Sequence, residues 1–180
     1  LVHRNVYTLR NHDSFVRAIL HIERLEMKYE LTDETKKVGD VTLYRIRALK
    51  DFGNIKKGEL GGWVEAEFNL SQENKSWVYD EAEVFGYSRV FGNAEVSGKV
   101  MVFGEAMIFG NAKIYDEAKV YGKVMVFDEA MILDEAWVYD EAEVFDDARI
   151  SGNDRISGNA KIFSEKINGK EIDRKACLGS

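Results

Sequence analysis

From Trp77 to Lys166 apolar and polar positions recur with a six-place period, fifteen times without an insertion. The second place of each hexad is Val or Ile in all fifteen, from Val78 to Ile162, and the sixth is Ala in ten. Ser88, Val100, Val124, Asp154 and Lys166 are the exceptions at the sixth place. Places four and five are mostly Gly-Asn, Gly-Lys or Asp-Glu. A hexad suits a short strand and a bend. Alternation along the strand sends the β-branched second place one way and the first and third places the other. Gly, Asn and Asp tolerate the positive φ that a bend requires, and a small sixth residue fits inside a tight corner. A helix does not fit, because a six-place period drifts around the helical turn.

A fixed short period marks a solenoid, whose units bury their core faces only by stacking. Three hexads close a triangular coil, so fifteen hexads predict five coils. At a strand spacing of ~4.8 Å these make a prism roughly 24 Å long. The fold class predicted is all-β, a single-stranded parallel β-helix. An irregular first coil, an N-terminal β-hairpin cap and a short N-terminal helix complete it.

The hexads resemble the hexapeptide-repeat proteins of the left-handed β-helix fold, as in Val90–Ala94, Ile108–Ala112 and Val126–Ala130. The left hand is implied by that resemblance alone. This chain differs in placing Phe or Tyr after the aliphatic residue in eleven hexads. With the preceding segment GELGGWVEAEFNLS, it looks like a bacterial and phage branch named for transferases. Such a name is inherited from the fold, and a fold does not fix a function.

Outside the hexads the chain falls into three parts. In residues 1–26, Asp13 or Ser14 can cap a helix from Phe15 to Glu26, with Phe15, Ile19 and Ile22 on one face. Met27 reads as a natural start, which would make these residues a leader. Residues 27–76 predict the cap. Tyr29–Leu31 is a short strand, Asp33–Asp40 a polar loop, and Val41–Leu49 the return strand. Val64 and Leu70, one hexad apart, belong to the irregular first coil, and Gln72–Ser76 delays Val78 by two places. In residues 167–180 the period fails, and this tail is expected to cap the last coil.

Charge and chemistry narrow the function. The net charge is −7; residues 77–166 carry nine basic and eighteen acidic groups. An acidic prism does not suit nucleic acid, whose phosphates require Lys and Arg. It suits a solvated surface, or an acidic inhibitor that mimics nucleic acid. No apolar run approaches a membrane span, and the lone Cys177 forms no internal disulfide, which points to the cytoplasm.

By the resemblance, acyltransferases of this fold use a His base and carbonic anhydrases three His on zinc. Here His3, His12 and His21 all precede the repeat, at a spacing that is no ligand pattern. Ser88, Ser97, Ser151 and Ser157 have no His nearby to activate them. No catalytic residue is therefore assigned, and no cofactor is expected unless the chain is an acyltransferase, which would use acetyl-CoA. The three-hexad register stacks Asp116 under Asp134 and Asp128 under Asp146. Such pairs are weak calcium candidates beside the simpler reading of solvated corners near Lys99 and Lys123.

Apolar surface is the stronger signal. The first face carries Tyr79, Ser97, Tyr115, Leu133 and Ser151 at the third place; the second carries Phe85, Phe103, Tyr121, Tyr139 and Ser157. The third carries Phe91, Phe109, Phe127, Phe145 and Phe163, with Met107 and Met125 beside them. Such a stripe is either covered within the chain, for example by the Phe15–Ile22 helix, or binds a protein. A homo-oligomer, a trimer by the resemblance, or another protein partner is expected, and neither nucleic acid nor membrane. The reading is a non-catalytic, self-associating scaffold of phage type, with an acyltransferase as the alternative.

Overall fold

The computed structural model describes residues 26–163 throughout, Val16, and the backbone of strands Lys166–Asn168, Glu171–Asp173 and Cys177–Leu178. The helix expected over Phe15–Glu26 lies outside the described residues except for Val16 and Glu26, both helical. The rest is a parallel β-solenoid of about six stacked coils, with almost no helix. Three sheets form its faces, of nine, six and six strands.

The hexads set the register. On the second face Val84 pairs with Val102, Val102 with Val120 and Val120 with Val138, each three hexads on. The third face repeats this through Val90, Ile108, Val126, Val144 and Ile162. The first does so through Val78, Val96, Ile114, Ile132 and Ile150. All these side chains are fully buried, as are the ten alanines of the sixth place. Ser88 and Asp154 take the same inward corner and remain buried by bonding to backbone. The Ser88 hydroxyl donates to Phe85 O (2.6 Å), and an Asp154 carboxylate oxygen accepts from Ser151 N (3.3 Å).

The corner itself explains the fourth place. From Asp80 to Gly158 each fourth residue has positive φ, between 52° and 79° except Gly122 at 86°. Only Gly and Asp occur there, the two types this chain uses to enter the left-handed region cheaply. Where Asp stands, its carboxylate often accepts the N–H of the fourth residue one coil on. Asp80 takes Gly98 N (3.1 Å), Asp134 takes Gly152 N (2.8 Å) and Asp140 takes Gly158 N (3.1 Å).

The first coil is irregular as the spacing predicts. Val64 pairs with Val84 and Leu70 with Val90, in both cases two places beyond the three-hexad step. The two extra places lie in the loop before Val78. A short 3-10 turn at Glu67–Asn69 fills the corner, where buried Asn69 donates to Gly86 O (3.0 Å) and Ser88 O (2.8 Å).

Three expectations need correction. The cap is a longer hairpin: β1 spans Tyr29–Val38 and β2 spans Val41–Ala48, so most of the supposed polar loop is strand. Its turn is Gly39-Asp40, with Gly39 at φ 60°, and its register slips between Leu31 and Thr35. Polar residues run along it because β1 is an edge strand, and charge blunts an edge. A third strand, β3 (Leu60–Val64), pairs antiparallel with β2 and parallel with the strand at Glu83, which joins cap to solenoid.

Second, the chain after Lys166 does not stop pairing. Its three strands extend all three sheets with shortened steps. Ile150 to Ile167 falls one place short of three hexads, while Ile156 to Ile172 and Ile162 to Leu178 fall two short. Third, not every first or third place faces water. Trp77 is fully buried, edge-on to Tyr29 (6.1 Å) and Phe52 (5.2 Å), because the cap folds over it.

Buried Lys28 lies at the same plug, with its ammonium 2.8 Å from Ser76 O and 3.3 Å from Glu73 O. Burial, with Lys50 close by, lowers this amine from about 10.5 to about 8. Between those pH values the unfolded chain keeps a proton that the folded chain has released, so folding gains as pH rises. Above pH 10 the tyrosines oppose this. Burial raises Tyr29 and holds Tyr79 near about 12, so the folded chain retains phenolic protons that the unfolded chain loses.

The cap makes two testable demands. A Cβ at Gly62 would lie 2.6 Å from Ala82 O, whereas one at Gly39 meets nothing within 4 Å. Gly62→Ala should therefore cost about 2 kcal/mol or more, and Gly39→Ala about 1 kcal/mol from backbone strain alone, read from melting curves. In melts at pH 7.5 and 9.5, the native chain should gain stability relative to Lys28→Met, because only the native chain carries the depressed amine.

Candidate binding face

Five of the six short strands of the third face come from the hexads, and their second-place residues fill the core, which leaves the third place outside. Because the register repeats every three hexads, Phe91, Phe109, Phe127, Phe145 and Phe163 stand directly over one another. Their ring centroids are 4.9, 5.0, 5.2 and 5.4 Å apart, and the planes tilt by 4° to 18°. The spacing equals that of the backbone strands, so the sheet itself sets the stack. Each ring covers its neighbours' faces and is only half-exposed. Stacked pairs contribute about 0.5–1.5 kcal/mol beyond area burial.

Stacking has a chemical consequence. The ring faces are used up, and the edges point out. The inner rings Phe109, Phe127 and Phe145 offer no open face to a sugar or a nucleobase, whereas a flat apolar surface can lie on the C–H edges. Beside the rings run the first-place residues Arg89, Met107, Met125, Glu143 and Lys161. Met107 is 36% exposed and Met125 half-buried. Glu143 is paired with Lys161 at 2.9 Å, and Arg89 lies over the Phe91 ring at 6.0 Å. At the head of the ladder the delaying loop leaves a hollow of about 240 Å3, bordered by Glu73, Asn74, Arg89, Phe91 and Met107.

The column that the spacing places on the second face forms a second ladder. Phe85, Phe103, Tyr121 and Tyr139 stack at 5.2, 4.9 and 5.1 Å. Its flank is charged instead of apolar: Trp137 lies between Lys119 Nζ (4.6 Å) and the Arg155 guanidinium (5.0 Å). Trp63 is held in the same way by Lys36 (4.6 Å) and Arg45 (4.9 Å), and its indole N–H donates to Glu81 (3.0 Å). The corner beside this face has an open hollow of about 340 Å3 over Gly104 and Gly122, rimmed by Glu105, Lys123, Asp140 and Glu141.

The aspartate pairs are stacked, and in the first pair the carboxylates serve the backbone. Asp116 accepts the N–H of Asp134 (3.3 Å), whose own carboxylate is bonded to Gly152. Asp128 and Asp146 share the left-handed corner conformation one coil apart. Among the described residues no group of three or more His, Cys, Asp or Glu could hold a metal ion. No helix among them is long and apolar enough to cross a membrane. Glu117 is taken by Lys99 (2.9 Å) and Glu95 by Lys113 (3.4 Å), again one coil apart.

Comparison with known proteins adds one partial likeness. No family model matches the chain. A stretch of 55 residues, 30% of the chain, is 44% identical to an uncharacterised acetyltransferase, YdcK, of Escherichia coli (strain K12). The chain matches only 16% of that protein's length. The likeness is therefore one of a segment, and together with the solenoid it fits a hexapeptide-repeat β-helix.

Proposed function

We propose that this chain is a self-associating β-solenoid scaffold whose third face is its binding surface, with no catalytic role of its own. The observation that carries this reading is the unbroken five-ring ladder with Met107 and Met125 alongside. Its edge-on rings favour a flat apolar partner, and a second copy supplies one of matching pitch. The acidic balance of the repeat supports a protein partner over nucleic acid.

A second reading rests on the acetyltransferase segment: the chain would be the solenoid of an acyl-transferring protein that uses acetyl-CoA. Its three histidines all lie before the repeat, so a base would have to come from a carboxylate or from outside residues 26–163.

Light scattering on the full chain should give a multiple of 20.6 kDa, and Phe109→Ser with Phe127→Ser should return it toward a single copy with the β-sheet signal retained. A single-copy mass at every concentration, or variants that assemble as before, would overturn the proposal. Release of CoA from acetyl-CoA above the uncatalysed rate, with amine or hydroxyl acceptors, would favour the second reading; its absence favours the first.

A further inference from the structure

The charges beside the Phe ladder are not symmetric along it, and they point to how two copies would meet. From the cap end, the first-place residues of the third face run Arg89, Met107, Met125, Glu143. The corner residues at the same four levels run Gly92-Asn93, Gly110-Asn111, Asp128-Glu129 and Asp146-Asp147. Over these four levels the half toward the cap is thus cationic or neutral and the far half acidic, with Lys161 following one level beyond. Among the described residues Arg89 has its ring contact with Phe91 and neither an ion pair nor a hydrogen bond from its guanidinium. Glu143 has a single cation, Lys161, and that lysine is itself 48% exposed.

Resting on the self-association reading, we infer that two copies pair their third faces in opposite directions, about a twofold axis along the strands between the levels of Met107 and Met125. Rotation about that line reverses the tube axis, turns the faces together and keeps each corner on its own side. It sets Met107 against Met125, Phe109 against Phe127 and Phe91 against Phe145. It sets Arg89 of each copy against Glu143 of the other, and each acidic corner against a Gly-Asn corner. A side-by-side arrangement with tubes parallel does the opposite. With the levels kept and the two sides swapped, Glu143 meets the Asp146-Asp147 corner of the other copy, Met125 meets Asp128-Glu129, and Arg89 meets only the neutral Gly92-Asn93 corner. Like charges in contact are costly, so the charge pattern selects the antiparallel pair over the parallel one.

The face limits the strength of this pair. Five coils are about 24 Å long and a three-place strand about 10 Å wide, so each copy buries only a few hundred Å2. That is below the usual size of specific interfaces, so the dimer should be weak, reversible and dependent on concentration.

Sedimentation velocity on the full chain, with a melting curve for each variant, tests this. The native chain should move from monomer to dimer as concentration rises. Arg89→Glu and Glu143→Arg should each weaken the dimer about tenfold or more, by setting like charges together at both ends. The double variant should restore it to within a few-fold, and so should an equal mixture of the two single variants, in which both contacts become complementary. A native chain that dimerises while the single variants are unaffected, or the double variant is not restored, would overturn the antiparallel register alone. A native mass of three copies would do the same and leave self-association standing. A chain that stays monomeric would overturn both.

Discussion

The corner is the constraint on which the rest depends. A coil of this tube closes only if the chain turns sharply after every short strand, and it does so through a residue in the left-handed region, from Asp80 to Gly158. Just beyond the turn, the sixth residue must tuck inside, where Ala predominates and Val100, Val124 and the backbone-bonded Ser88 and Asp154 are also fully buried. Together these hold the step at one hexad per side. Once the step is fixed, every equivalent place lies one strand spacing above the last, and side chains of the same kind are forced into columns. The Phe ladder, the Asp-to-backbone bonds and the Lys–Glu pairs on adjacent coils all follow from that one geometric restriction.

Much of this was legible because periodicity is a property of the sequence. The inward Val and Ile, the three faces, the members of each ladder and the two-place delay before Val78 all come from counting. What counting missed depends on neighbours that are distant in the chain. Asp33–Val38 reads as a loop because its residues are polar, yet backbone pairing with β2 makes it strand. Trp77 reads as an outward first-place residue, yet Tyr29 and Phe52 arrive from the cap to cover it. The period breaks after Lys166, yet Ile167, Ile172 and Leu178 still pair with the aliphatic residues of the preceding coil through shortened steps.

The candidate face shows the same division. Spacing placed five Phe in one column and two Met beside it, but could not say that the rings would lie flat on one another. That stacking changes the chemistry on offer, because it hides ring faces and leaves edges. The aspartate columns were equally legible as positions, but not the bonds they make: Asp116 and Asp134 spend a carboxylate oxygen on the N–H above. Arg89 and Glu143 drew no notice in the sequence, since their meaning lies in their heights along the ladder. The partial likeness to a bacterial acetyltransferase is compatible with this frame, because a solenoid can carry either a surface or an active site.

The central claim is that residues three hexads apart stand side by side on adjacent coils. Nitroxide labels at Asn93→Cys and Asn111→Cys, with Cys177→Ser to remove the native thiol, test it directly by continuous-wave electron paramagnetic resonance. Both asparagines are exposed, and their side chains meet at 3.0 Å. Strong spin–spin broadening, as expected for backbones about 5 Å apart, is the predicted result. A spectrum equal to the sum of the two singly labelled chains would contradict the account.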